Sequence, residues 1–212
     1  PQPGEYESAF AAMDRRIAYH SLADIRAVLD RPDLFDLLNL HALGDPTEIE
    51  DMVAWLRWET GRRGYAKPIM ISDTACEPFI AWGPADAASG PPEQLCLVIP
   101  PAIEADRAGL AAYFTKLLDG DAATTEWVRG FAASDMANKI VIAAEQGVVL
   151  LNAAFTEDLE LLKLKALHAG AGNGAWGGMA RIEHRLFEPE PVLVARNPNF
   201  YAVAQVQRHL RG

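Results

Sequence analysis

Residues 35–74 read FDLLNLHALGDPTEIEDMVAWLRWETGRRGYAKPIMISDT, and this stretch decides the fold. The apolar run 35–43 is short and is bounded by turn formers, which predicts a buried strand, and 69–72 predicts a second strand on the same grounds. Between them, 45–61 opens with an acidic N-cap residue, a proline and an acid three residues after the cap, so it predicts a helix. Strand, helix and strand in this order indicate a βαβ unit whose two strands are parallel.

The rest of the chain continues the alternation of helices and strands. Ser21 begins a capped helical pattern that ends before Pro32. The stretch 75–101 is rich in proline and has no sustained period, which predicts a long loop that is either functional or mobile. We therefore expect an α/β chain with three parallel strands. The remaining predicted elements are helices at about 105–118, 125–146 and 198–210 and a third strand at 148–152.

The composition excludes several classes of protein. Of the 212 residues, 50% are hydrophobic and 23% are charged, which is typical of a folded globular chain and not of a disordered one. The formal net charge of −10 disfavours binding to nucleic acid or to an anionic membrane. The apolar runs are too short for a membrane span and no signal peptide is visible, so we expect a soluble protein. These features do not specify its cellular compartment. Cys76 and Cys96 are expected to be unpaired thiols, with a bridge between them as the alternative.

Polar residues end the three predicted strands. Asn39 and His41 share one face of the first strand, Ser72 and Asp73 end the second, and Asn152 ends the third. Because α/β folds gather their chemistry at the carboxyl ends of parallel strands, these five residues form the candidate site. Asp73 can act as a nucleophile or base, or it can cap a loop or pair with an arginine. His41 can orient a carboxylate, or it is a hydrogen-bonded residue without a catalytic duty.

Several short motifs resemble the last part of the retaining (β/α)₈-barrel glycoside hydrolases. The run 35–41, Phe-Asp-Leu-Leu-Asn-Leu-His, is similar to the sixth strand of that family, and 67–73, Lys-Pro-Ile-Met-Ile-Ser-Asp, is similar to its seventh. The helix end and strand at 143–151 look like its seventh helix and eighth strand, and 197–203 resembles the start of its final helix. The motifs are short, but they follow the family's order over nearly the whole chain.

The resemblance implies a partial TIM barrel. Residues 1–212 would be its C-terminal portion, contributing strands six to eight, with a long loop at about 75–101. A preceding N-terminal barrel segment would be the partner that completes it, because such a barrel takes about 250 residues and eight strands. A small, self-contained α/β domain unrelated to glycosidases is an alternative fold.

The resemblance also implies an activity, hydrolysis of the O-glycosidic bonds of a carbohydrate. The family carries its nucleophilic carboxylate at the end of strand seven, which corresponds here to Asp73. Two features depart from the family: Asp73 stands where the family has the longer Glu, and the Asn-Glu pair that holds the acid/base residue after strand four does not occur in this chain. The alternative function is therefore a non-catalytic carbohydrate-binding or structural relative of the barrel.

Further side chains are candidates for contacts with a sugar. Glu77 can supply the carboxylate reach that Asp73 lacks, or it is an exposed loop acid. Trp82 and Trp176 lie in predicted loops, where an indole face can stack on a sugar ring or close the edge of a core. The motif G-x-G-x-x-G at 172–177 lacks the preceding strand of a nucleotide site, and we expect neither a cofactor nor a metal. The predicted catalytic residues are thus Asp73 and His41, and the predicted substrate-binding residues are Asn39, Ser72, Glu77, Trp82, Asn152 and Trp176.

Overall fold

The structure is a computed structural model, and it describes residue 8 and the ranges 22–74, 107–153, 156–158, 176–183 and 190–211. Among the helices in these ranges, none is long and apolar enough to cross a membrane. The elements in chain order are α1 (Leu22–Leu29), a 3₁₀ helix (Pro32–Leu34), β1 (Leu38–Ala42), α2 (Glu48–Gly61), β2 (Ile69–Thr74), α3 (Arg107–Leu118), α4 (Ala122–Glu145), β3 (Leu150–Leu151), β4 (Ala180–Glu183), β5 (Val192–Arg196) and α5 (Pro198–Leu210).

The three predicted strands form one parallel sheet in the order β1-β2-β3. Leu38 lies opposite Ile69, and Met70 lies opposite Leu150, so β2 is the central strand. The predicted βαβ unit is confirmed, and the chain is a mixed α/β protein. The described strands do not close into a barrel.

Apolar side chains on one face of this sheet form the main core. Ile69 and Ile71 of β2 are 4% and 0% exposed, and the helices α2 and α4 cover them. On the opposite face of β1, Asn39 and His41 are exposed. The sheet therefore has an apolar face under helices and a polar face. The buried members of this core are Leu29, Leu38, Ala42, Ile49, Val53, Trp55, Leu56, Ile69, Ile71 and Ala143.

The predicted helix is present, but it begins at Glu48 with Thr47 as its N-cap, and Asp45 closes the turn before it. The Asp45 carboxylate accepts hydrogen bonds from the Thr47 hydroxyl at 2.6 Å and from the Thr47 amide at 2.9 Å. These hydrogen bonds hold the pKa of Asp45 below its ordinary value. The regular helix begins at Glu48 because the residues before it form a turn closed by Asp45.

The other end of α2 is joined to α1 by a buried carboxylate. The Glu59 side chain is 0% exposed and pairs with Arg26 and Arg62, each at 2.8 Å, and also with Arg63. Burial alone would raise the pKa of Glu59, but the hydrogen bonds from Arg26 and Arg63 outweigh it and lower that pKa. Glu59 therefore contributes stability above its unfolded pKa, and this stability is lost as the pH falls through its folded pKa.

A second sheet, which is absent from the sequence-based prediction, consists of β4 and β5 in antiparallel pairing. The apolar residues Val192, Leu193 and Val194 of β5 are 38%, 50% and 43% exposed. The apolar run 192–195 lies between Pro191 and Asn197, so it carries the same short, bounded signal as β1 and β2, and the sequence-based prediction omits it. The final helix is confirmed at Pro198–Leu210, and it packs on α4.

Gly178 lies where the second sheet meets the segment 156–158. A Cβ atom at this position would lie 2.2 Å from the Glu157 carbonyl carbon and 2.3 Å from the Asp158 nitrogen. Because main-chain atoms cannot move aside as a flexible side chain can, we expect Gly178→Ala to lower the free energy of unfolding by about 1–3 kcal/mol.

Gly61→Ala is the matched control for Gly178→Ala, since a Cβ at Gly61 meets nothing within 4 Å. Alanine at this helical position should be neutral or stabilise the chain by roughly 0.5 kcal/mol. Denaturant titration of both variants measures the difference. Equal unfolding midpoints would show that the close approach at Gly178 costs nothing.

Candidate functional site

The carboxyl ends of β1, β2 and β3 lie side by side, because the three strands are parallel neighbours. This arrangement brings together five of the residues predicted from the sequence. Two of them form a charged pair, and the other three form a hydrogen-bonded group around the main chain of β2. The five are Asn39, His41, Ser72, Asp73 and Asn152.

His41 and Asp73 are paired across β1 and β2. The imidazole Nδ1 lies 3.8 Å from the Asp73 Oδ2, which is longer than a hydrogen bond. Both side chains are about half exposed, at 55% and 51%. Such a pair contributes little to stability, but its carboxylate and imidazole are accessible to a ligand.

The pairing of β1 with β2 is irregular at this point. Leu40 lies opposite Ile71 and His41 lies opposite Asp73, so β2 uses one more residue than β1 and Ser72 is the extra residue of a β-bulge. Beyond the bulge, Thr74 is 1% exposed, whereas the Asp73 side chain is 51% exposed. In an uninterrupted strand, Asp73 would share the face of Ile71 and Thr74 would share the face of Ser72. The bulge therefore exchanges the faces of these last two residues.

Two asparagine side chains bond the main chain of Ser72. The Asn39 Oδ1 accepts from the Ser72 amide at 3.1 Å, and the Asn152 Nδ2 donates to the Ser72 carbonyl at 3.0 Å. The Thr74 hydroxyl donates to the Asn152 carbonyl at 2.6 Å, which joins β2 to the end of β3. The amide groups predicted to bind substrate are thus engaged with the protein, and their contacts with a ligand stay a prediction.

A buried ion pair within α4 is absent from the sequence-based prediction. The Lys139 Nζ lies 2.7 Å from the Asp135 Oδ2, and the two side chains are 0% and 4% exposed. Burial raises the pKa of Asp135, and the charge and hydrogen bond of Lys139 oppose the rise. The sequence places this pair at i and i+4 of a helix, where a surface ion pair is the usual interpretation, so nothing local indicates its burial.

Glu48, in the first turn of α2, lies near the same lysine. Its carboxylate occupies the space beside Gly44, where an added Cβ would be 2.3 Å from the Glu48 Oε2. Burial raises the pKa of Glu48, the positive charge of Lys139 opposes the rise, and the negative charge of Asp45 adds to it. One buried cation thus faces carboxylates from α4 and from the start of α2.

A second buried network joins α4 to the start of α5. Arg129 pairs with the fully buried Asp158 carboxylate at 2.6 Å and also bonds the Asn197 side chain. The Asn197 amide donates to the Asp158 Oδ1 at 3.0 Å and to the Gly178 carbonyl at 2.9 Å. These contacts fix the segments that follow β3. A cavity of about 320 Å³ beside the network does not include the five residues at the sheet end; it is lined by Gly120, Ala122, Thr125, Glu126, Arg129 and Pro198.

Three other predicted residues have separate outcomes. Trp176 is only 4% exposed, which agrees with the alternative that its ring closes the edge of a core, and its stacking on a sugar stays a prediction. Glu77 and Trp82 lie outside the described residues, as do Cys76 and Cys96.

Within the ranges that the structure describes, no group of three or more His, Cys, Asp and Glu side chains is arranged to hold a metal ion. No protein-family model matches the chain, and no curated protein or solved structure is significantly similar to it. Its function has to be inferred from the residues at the carboxyl ends of the sheet and from the motifs around them.

Proposed function

We propose that the chain is a glycoside hydrolase-like protein that acts on the O-glycosidic bonds of a carbohydrate, with Asp73 in the position of the nucleophile. The observation that carries the proposal is the placement of Asp73. Its half-exposed carboxylate ends the central strand of a parallel sheet and lies beside His41. A carboxylate in such a place can attack the anomeric carbon of a bound sugar.

The order of the strands supports a barrel origin. Successive strands β1, β2 and β3 are neighbours, and α2 and α4 cover the same face of the sheet. A (β/α)₈ barrel has this arrangement, whereas a doubly wound sheet has helices on both faces. We propose that the polar face, which carries Asn39 and His41, faces the interior of a barrel and that a preceding N-terminal segment supplies its other strands.

Retaining hydrolysis needs a second carboxyl group about 5–5.5 Å from the nucleophile, to protonate the leaving oxygen and then activate water. Among the described residues, the charged partner of Asp73 is His41. The proposal therefore takes the acid/base group from the preceding barrel segment or from Glu77. In this scheme His41, whose Nδ1 lies 3.8 Å from the Asp73 Oδ2, orients the Asp73 carboxylate.

The second candidate is a carbohydrate-binding relative without turnover. Two observations favour it: the group beside Asp73 is an imidazole, and the aspartate is one methylene shorter than the glutamate of the resembled family. A shorter nucleophile has to approach the sugar more closely, and small misplacements cost much of the rate.

The experiment that separates the two candidates is covalent trapping. The chain, together with the preceding barrel segment that the proposal requires, is incubated with activated 2-deoxy-2-fluoro glycosides of several common sugars, whose good leaving group needs no acid catalyst, and its intact mass is measured. We expect the mass to rise by one fluoroglycosyl unit in the parent and in the control Asp36→Asn, and to stay unchanged in Asp73→Asn, because only Asp73 forms the ester. Saturable sugar binding without labelling or turnover would support the second candidate and contradict the hydrolase.

A further inference from the structure

The β-bulge at Ser72 determines which side chain at the end of β2 faces His41. We infer that Asn39 and Asn152 are positioning residues that hold this bulge, so that Asp73 and not Thr74 lies on the polar face of the sheet. The meaning of this for catalysis rests on the proposed function, but the placement of Asp73 can be tested without any substrate.

β1 and β2 use different numbers of residues at this point. From Leu40 to His41, β1 advances by one position, while β2 advances from Ile71 to Asp73. Ser72 is left between two ladder positions, and a shift of one residue exchanges the faces of every residue beyond it. The 1% exposure of Thr74 and the 51% exposure of the Asp73 side chain show that this exchange has occurred.

The two asparagine side chains satisfy the main chain of Ser72. A bulge residue has no ladder partner of its own, and main-chain polar groups within a sheet have to be satisfied by other groups. The Ser72 amide needs an acceptor and finds the Asn39 Oδ1 at 3.1 Å, while the Ser72 carbonyl needs a donor and finds the Asn152 Nδ2 at 3.0 Å. One asparagine from each neighbouring strand thus holds the same residue from opposite sides.

Without the bonds from Asn39 and Asn152, Ser72 would be able to enter the ladder between β1 and β2. If Ser72 entered the ladder as an ordinary residue, Asp73 would turn toward the face of Ile71, which is 0% exposed and covered by helices. A carboxylate is costly to bury there, so the end of β2 would either turn over or detach from β1. In both cases Asp73 leaves His41, and a nucleophile at this position loses its orientation.

The test is reciprocal thiol labelling in the full chain with Cys76→Ser and Cys96→Ser as background. Asp73→Cys and Thr74→Cys are made separately, and the rate of alkylation of each thiol is measured under native conditions. Since labelling follows exposure, we expect Cys at position 73 to react about tenfold or more faster than Cys at position 74. Equal rates in the background chain would overturn the inference at once.

The asparagines are tested by the same isosteric change at two positions. Asn152→Asp removes the donor to the Ser72 carbonyl, whereas Asn39→Asp keeps an acceptor for the Ser72 amide, and each adds one negative charge near position 73. We expect the labelling ratio to fall about tenfold in Asn152→Asp and to stay close to the background value in Asn39→Asp. An unchanged ratio in Asn152→Asp, or an equal fall in both variants, would contradict the inference.

Deletion of Ser72 provides the rescue. Without the extra residue the ladder becomes regular while the faces of positions 73 and 74 are kept, so the bond from Asn152 is no longer needed. We expect the deletion combined with Asn152→Asp to fold and to recover the fast labelling of position 73, even if Asn152→Asp alone does not fold. Failure of the combined variant to fold or to recover would count against the inference.

The labelling test and the test of the proposed function can fail independently of each other. If no glycoside is turned over, the labelling ratios still decide whether the bulge places Asp73. If a glycoside is turned over, Asn152→Asp in the unlabelled chain should lower kcat by about tenfold or more with little change in KM, because a misoriented nucleophile affects the chemical step. If Asn152→Asp lowered stability but left kcat unchanged, Asn152 would have only a structural role and the inference would be overturned.

Discussion

Replacing Asp73 with Asn is expected to lower the turnover of an activated aryl glycoside by about three powers of ten or more, because an amide cannot form the glycosyl ester. The two side chains have nearly the same shape, and the carboxylate is 51% exposed, so the substitution should leave folding intact. Steady-state kinetics of the parent and the variant, together with their melting temperatures, measure the effect. A loss of less than about tenfold would exclude Asp73 as the nucleophile.

Asp73→Glu is the matched control, since it keeps the carboxylate and restores the length found in the resembled family. We expect its turnover to stay within about tenfold of the parent, in either direction. If Asp73→Glu were as inactive as Asp73→Asn, the charge at this position would not be the important property.

The second large effect is expected for the buried pair of Asp135 and Lys139. Asp135→Asn weakens the charge-assisted hydrogen bond to the Lys139 ammonium, which is 0% exposed and also lies near the Glu48 carboxylate, and we expect a loss of about 1.5–3 kcal/mol in the free energy of unfolding. Chemical denaturation measures this loss. The matched control is Asp33→Asn, which makes the same change in the exposed pair of Arg31 and Asp33, and it should leave the unfolding midpoint almost unchanged. Equal unfolding midpoints for Asp135→Asn and Asp33→Asn would show that burial of the ion pair does not increase its contribution to stability.

Replacing the lysine of this pair instead of the aspartate should make the change in the free energy of unfolding depend on pH. In Lys139→Met, Asp135 and Glu48 lose the positive charge that opposes the effect of burial, so the pKa of each carboxyl rises further. A raised folded pKa destabilises the protein above that pKa, and the destabilisation disappears as the pH falls toward the unfolded pKa. We therefore expect the stability difference between Lys139→Met and the parent to be largest near neutral pH and to narrow on acidification. If the stability difference stayed constant with pH, the charge of Lys139 would have no effect on the ionisation of Asp135 and Glu48.

The double variant Asp135→Leu with Lys139→Met removes both charges from the interface of α2 and α4. Replacing a whole buried ion pair with apolar residues of similar volume is often neutral or stabilising. We expect this variant to recover most of the stability that Asp135→Asn loses.

The elements that could be predicted from the sequence are those with a local signal. The apolar runs, the capping residues of α2 and the terminal glycines and prolines predict the βαβ unit, because each signal acts over a few residues. The apolar run 192–195 of β5 carries a similar local signal and is omitted from the prediction, whereas the exposure of Val192, Leu193 and Val194 is visible only in the structure. The five residues at the sheet end could be predicted because parallel strands align their carboxyl ends.

Three features of the site could not be predicted, because they depend on contacts between distant segments. The bulge at Ser72 opposes the alternation that the sequence suggests, and it depends on side chains from β1 and from the end of β3. The burial of Lys139 depends on the packing of α2 against α4. Trp176 lies in a glycine-rich stretch that indicates an exposed loop, yet its ring is only 4% exposed.

The bulge also has a consequence for the descent of the protein. Ser72 has the form of a one-residue insertion that the sheet has absorbed, since the residues on both sides of it keep the faces they would have in a strand without it. An insertion of this kind is tolerated only where neighbouring side chains can satisfy its main chain, as Asn39 and Asn152 do. Homologous chains with one residue fewer in β2 should therefore be free to vary at both asparagine positions, whereas chains that keep the extra residue should keep both.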